Sequence, residues 1–96
     1  MQEVFLVSSE NKSKAEDLLK NDDLVSRGSI AIKSPASIDI KEDGYFFVLD
    51  ASEETIKRAE ELLKGIGKKY KEKENVINKI KEQEEAAAEG FGNILG

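Results

Sequence analysis

Apolar and polar residues follow two rhythms along the chain, and the changes of rhythm mark its elements. Val4-Phe5-Leu6-Val7 is a short apolar run. Ala15, Leu18 and Leu19 then recur at helical spacing through a charged stretch ending at Lys20. Ile30, Ile32, Ala36, Ile38 and Ile40 share one parity, with Ser34 the polar member of the series. That alternation predicts one long half-buried strand, or two collinear ones. Pro35 falls on the opposite parity and removes a ladder donor, which points to an edge strand or a bulge. Lys41-Glu42-Asp43-Gly44 is a hairpin turn, with Gly44 free to take a positive φ. It leads into a second apolar run, Tyr45-Phe46-Phe47-Val48-Leu49, so strand two runs antiparallel into strand three.

The chain carries a weak internal repeat. Ala15-Glu16-Asp17-Leu18-Leu19-Lys20 recurs as Ala59-Glu60-Glu61-Leu62-Leu63-Lys64, and in the same register Ser8 falls on Ser52, Glu10 on Glu54 and Asn21 on Gly65. Each copy is preceded by an apolar run, so each predicts a strand, a polar turn, a helix and a helix stop. Ser8 or Ser9 and Ser52 are the expected N-caps, with Glu53 and Glu54 near the positive end of the helix dipole. Asn21 and Gly65 stand where a left-handed residue ends a helix, and Ile66 supplies the apolar residue that follows such a stop.

After Gly65 two readings compete. Apolar positions 56, 59, 63, 66, 70, 77, 80 and 87 fit a three-four spacing that suits one long helix. Gly65 and Gly67 oppose it, each costing about 1 kcal/mol inside a helix. The preferred reading ends the second helix near Lys64. A short lysine-rich edge strand then runs through Lys68-Lys69-Tyr70-Lys71-Glu72-Lys73, lysine being a common guard against edge pairing. A third helix follows from about Asn75 to Glu89, with Val76, Ile77, Ile80 and Ala87 on one stripe. Gly90 and Phe91 repeat the glycine-apolar stop, and the tail Phe91-Gly92-Asn93-Ile94-Leu95-Gly96 is apolar.

The element order is βαββαβ followed by α. This predicts the α+β class: a ferredoxin-like plait, an antiparallel sheet with helices on one face, and an extra C-terminal helix. One domain is expected over residues 1–96, with the plait in 1–73 and the C-terminal helix and apolar tail in 74–96. Strands one and three are expected to be central and parallel to each other. Both are apolar at both parities, and such strands need cover on both faces. The candidates for the second cover are the third helix with its tail, a second copy of the chain, or a ligand.

Composition narrows the chemistry. A chain of 96 residues fits one compact domain with a real core. It has no cysteine and no histidine, which removes disulfides, thiolate nucleophiles, imidazole bases and Cys/His metal sites. The opening apolar run is far shorter than the roughly 18 residues of a membrane span and resembles no signal peptide, so a cytoplasmic location is expected. The Lys and Glu surplus is a thermophile-like signal. The net charge is −5.

Few residues suggest a site. Gly65-Ile66-Gly67 and Gly90-Phe91-Gly92 lack the lysine and context of a phosphate loop and are helix stops. Ser8, Ser9, Asp50 and Ser52 are expected together at the carboxyl ends of the two central strands, where helix N-termini favour a small anionic metabolite. Helix capping explains the same residues without a ligand. Asp39, Glu42 and Asp43, like Asp22 and Asp23, are carboxylates of the type that binds a hard cation, but no ordered ligand loop accompanies them, so no metal and no cofactor is assigned. Without a histidine or cysteine partner, a serine nucleophile has no support.

Val4-Phe5-Leu6 and Gly44-Tyr45-Phe46-Phe47-Val48, in a βαββαβ order, resemble the first- and third-strand signatures of the RNA recognition motif. That resemblance implies single-stranded RNA stacking on Phe5, Tyr45 and Phe47. Asp43, Phe46 and Asp50 depart from the pattern, and the net charge opposes a phosphate partner.

The leading expectation is a non-enzymatic interaction module that binds a protein partner or a second copy. It would act through the open sheet face and the C-terminal helix and tail, with Val76, Ile80, Phe91, Ile94 and Leu95 in contact. RNA binding is the alternative, and anion binding at Ser8, Ser9 and Ser52 a further one. No membrane partner is expected.

Overall fold

The computed structural model describes residues 1–83. They form an α+β domain in which a four-stranded antiparallel sheet lies between helices. Strand β1 is Gln2–Val7, and a 3₁₀ turn at Ser9–Asn11 leads into helix α1, Lys12–Lys20. A second 3₁₀ turn, Val25–Arg27, precedes strand β2, Ser29–Lys33. A third, Pro35–Ile38, precedes strand β3, Tyr45–Asp50. Helix α2, Glu53–Leu62, strand β4, Gly67–Lys69, and helix α3, residues 73–83, complete the order. The sheet order is β2-β3-β1-β4.

Every neighbouring pair is antiparallel, and this corrects the expected direction of the central strands. β1 pairs β3 from Gln2↔Asp50 to Val7↔Tyr45. The connections explain it. The β2–β3 hairpin reverses the chain, while β1 and β2, joined by a helical crossover, run the same way on either side of β3.

The two parities of the central strands build two cores. Phe5, Val7, Phe47 and Leu49 face α1 and α2, and pack with Ala15, Leu19, Val25, Ile56, Ala59 and Leu63. Val4, Phe46 and Val48 face the other way and pack with Ile38 and Val76. The repeat is visible here, since Ala15 in α1 matches Ala59 in α2, and Leu19 matches Leu63 at the C-terminal cap of α2, all four buried. The second face is not open. α3 lays Val76 on it, with Ile77 and Ile80 at the flank, and the Gln83 side-chain amide donates to the Ser37 carbonyl at the far end.

The expected long second strand stops at Lys33. Pro35 opens a 3₁₀ turn instead of a bulge, and Asp39 closes it at φ 56. The turn breaks the parity: Ile30 and Ile32 flank the α1/α2 core, whereas Ile38 is buried in the α3 core. Gly44 carries φ 103 in the hairpin, where an added Cβ would collide with the Val7 carbonyl.

The helix ends follow their caps in part. The Ser52 hydroxyl accepts the Thr55 N–H at 3.3 Å, with Glu53 and Glu54 in the first turn of α2. Ser8 makes no such bond, and its hydroxyl accepts from the Asn11 side chain at 3.1 Å. Gly65 takes the expected left-handed conformation, φ 86, as the N–H groups of Ile66 and Gly67 turn back on the Leu63 carbonyl. Asn21 does not: it stays right-handed at φ −88, because the chain continues through a further turn at Asp22. The lysine-rich strand is shorter than expected and begins earlier, at Gly67. Gly67 lies too close to the Val7 side chain for any Cβ, so β1 and β4 approach tightly there.

Candidate functional site

Three groups of expected site residues meet different fates. Phe5 and Phe47 are buried at 1% and 0% under α1 and α2, and Tyr45 lies half-buried on the same side with the Lys12 ammonium 5.1 Å from its ring centre. The RNA-stacking arrangement is thereby corrected. The aromatics of that parity are core, and the aromatic of the opposite parity, Phe46, is buried edge-to-face against Tyr70 at 4.8 Å.

The anion site is corrected by the strand direction. Ser8 and Ser9 follow Val7, which pairs with Tyr45, whereas Asp50 pairs with Gln2 and leads to Ser52. The two groups therefore lie at opposite ends of a six-residue strand, about 20 Å apart at ~3.3 Å per residue.

The partner-binding set divides. Val76 is fully buried and Ile80 partly buried against the chain's own sheet, so the open-face reading is corrected for both. Phe91, Ile94 and Leu95 lie outside the described residues.

Asp22 is occupied by the fold. One carboxylate oxygen accepts the N–H groups of Leu24 and Val25 at 3.0 and 3.1 Å, and the other accepts Arg58 Nε at 2.8 Å. The Val25 N–H first, and then the Arg58 guanidinium, hold its carboxyl below the ordinary range. Among the described residues, no three acidic side chains come together as a metal would require.

What remains chemically unsatisfied is an edge. In an antiparallel ladder, alternate residues turn both backbone groups toward one neighbour. The Ala51 N–H bonds the Met1 carbonyl at 2.9 Å, which fixes the phase: Leu49, Phe47 and Tyr45 turn toward β1, and Asp50, Val48 and Phe46 toward β2. Their partners Ser29, Ala31 and Lys33 therefore use their backbone groups on β3. Ile30 and Ile32 turn theirs outward, where no backbone hydrogen bond meets them among the described residues.

The opposite edge is built differently. β4 has three residues, two of them lysine. Lys69 bonds Glu60 at 2.5 Å and lies 3.8 Å from Glu3, whose other cation is Lys73 at 3.7 Å. The hydrogen bond to Glu60 is the main cause of the raised Lys69 pKa. Glu3 is buried at 5%, and sequence reasoning missed it. Its signal was a lone carboxylate at the start of an apolar strand, in a chain that places a lysine-rich segment at 68–73.

Beside β2, a hollow of about 250 Å³ opens between the sheet edge and α3, with Ala31, Lys33, Asp50, Ile77 and Lys81 among its walls. Comparison with protein-family models, curated proteins and solved structures finds no match. The site therefore rests on geometry alone. Among the described residues, no helix is long and apolar enough to cross a membrane.

Proposed function

We propose that the chain is a non-enzymatic interaction module on a ferredoxin-like plait, which takes an extended protein segment as an added strand along β2. The plait reading draws support from the β2-β3-β1-β4 order, with a helix after β1 and another after β3. The observation that carries the function is the outward backbone of Ile30 and Ile32, which meets no backbone partner among the described residues. An edge of this kind binds through main-chain hydrogen bonds and takes its specificity from alternate side chains. The two edges are unequal: β4 is short and charged, while β2, Ser-Ile-Ala-Ile-Lys, carries one charge at its end. A chain without histidine or cysteine offers little for catalysis, and both sheet faces are already covered.

Titration of isotope-labelled chain with a short capped peptide of alternating valine and threonine tests this reading. Amide shifts are expected at residues 29–33, largest at Ile30 and Ile32. With the chain dilute enough to be monomeric, no shift at millimolar peptide, or shifts centred on β4 or α2, would refute it.

A further inference from the structure

We propose that the strand added to β2 is β2 of a second copy of this chain, related by a two-fold axis through Ala31. The inference rests on the strand-addition reading and names its occupant.

The edge is complementary to itself. An antiparallel copy centred on Ala31 places Ile30 opposite the second copy's Ile32, and Ile32 opposite the second copy's Ile30. These are the two residues whose N–H and C=O groups point outward. Each facing pair then exchanges hydrogen bonds in both directions, and no outward group between them is left over. The result is one continuous sheet made from two four-stranded ones, and the interface is isologous.

The side chains agree on both faces. Toward α1 and α2, Ile30 and Ile32 are half-buried against the core, and the second copy's isoleucines would cover their outer sides. Toward α3, Lys33 would stand beside the second copy's Ser29, and Ser29 is the register partner of Asp50. Directly paired residues share a face, so the Lys33 ammonium reaches the second copy's Asp50 across one strand. Asp50 is available: its side chain is 59% exposed, and among the described residues its one ion pair is with the N-terminal amine, at 3.5 Å. Lys33 forms no ion pair among the described residues. The symmetry makes this charge match twice. A foreign strand would satisfy the hydrogen bonds but has no reason to satisfy the charges, and this favours the second copy.

The test is sedimentation and light scattering of the full chain across a concentration series. It uses the native protein, Ile32→Pro, Ile32→Thr, Lys33→Asp, Asp50→Lys and the double exchange. The Ile32 N–H turns away from β3 and meets no partner among the described residues, so proline there leaves the β2–β3 ladder intact and blocks the outer edge. Threonine shortens the side chain and keeps the N–H. The native chain and Ile32→Thr are expected to dimerise, and a folded Ile32→Pro to stay monomeric. Each charge reversal should weaken the dimer by about tenfold, and the double exchange should restore it to within a few-fold. Asp50 is exposed and Lys33 half-buried at the sheet edge, so the charge variants decide the matter even if the proline variant does not fold. A native chain that is monomeric at every concentration overturns the proposal. So does a dimer that persists in folded Ile32→Pro, or one indifferent to the charge exchange. A monomeric chain that still shifts at Ile30 and Ile32 with the peptide would sink self-pairing alone and leave the strand-addition reading standing.

Discussion

Replacing Val76 by alanine removes two methyl groups from the middle of the contact between α3 and the sheet. Val76 is wholly buried, with Val4, Ile38, Phe46 and Val48 in the same cluster. At ~0.8 kcal/mol per buried carbon, the lost transfer energy is about 1.6 kcal/mol. If the site does not collapse, a void of roughly 40 Å³ adds about 1 kcal/mol at ~24 cal/mol per Å³. The expected loss is therefore about 1.6–2.6 kcal/mol, which for a domain of this length lowers Tm by roughly 6–20 °C. Thermal unfolding followed by circular dichroism reads it, at one fixed protein concentration because self-association also raises Tm. Asn78→Ala, at an exposed position of the same helix, is the control and should stay within about 0.5 kcal/mol of the native protein. If Val76→Ala and Asn78→Ala melt together, α3 does not cover the second face and the two-core account fails.

Five further substitutions probe the local arguments. Ser52→Ala is expected to cost about 1 kcal/mol, because its hydroxyl caps α2, whereas Ser8→Ala should cost a small fraction of that in the same melting assay. Gly44→Ala should destabilise more than Gly65→Ala in urea titration. Both residues have positive φ, but only at Gly44 does the new Cβ meet backbone, and Gly65 faces open space. Asp22→Asn should lower stability at neutral pH and flatten its fall in acid. The folded Asp22 pKa is lowered, so its contribution is complete above the ordinary value of 3.8 and is lost as the pH falls through the lower folded value. The native and Asp22→Asn stability curves should therefore differ at neutral pH and converge in acid, and a constant difference across that range would contradict the sign.

Much of the domain was legible because its rules are local. The parity of Val4 to Val7 and of Tyr45 to Leu49 demanded two covered faces, and two cores exist. The Gly65 stop separated α2 from the lysine-rich segment as its conformational freedom required. The errors came where local pattern yields to connection. Ile38 and Ile40 continue the alternation of Ile30 and Ile32, but the 3₁₀ turn at Pro35 carries Ile38 through to the other core. The antiparallel direction of β1 and β3 was implied by the crossover and the hairpin together, although neither states it alone. Phe5 and Phe47 resembled a stacking platform because an aromatic strand looks the same whether helices or solvent lie above it. The β2 edge could not be found from sequence, since which residues turn outward depends on the phase of the whole ladder.

Amide hydrogen exchange along β2 tests the account most directly, because neighbouring residues carry opposite expectations. The Ala31 and Lys33 amides bond to β3 within one chain and should be protected at any concentration. The Ile30 and Ile32 amides point away from β3 and meet no backbone partner among the described residues, so the proposed added strand is what would protect them. The account predicts that their protection rises with protein concentration, while that of Ala31 and Lys33 does not change. Ile30 and Ile32 amides that exchange freely at every concentration, beside protected Ala31 and Lys33, would contradict it.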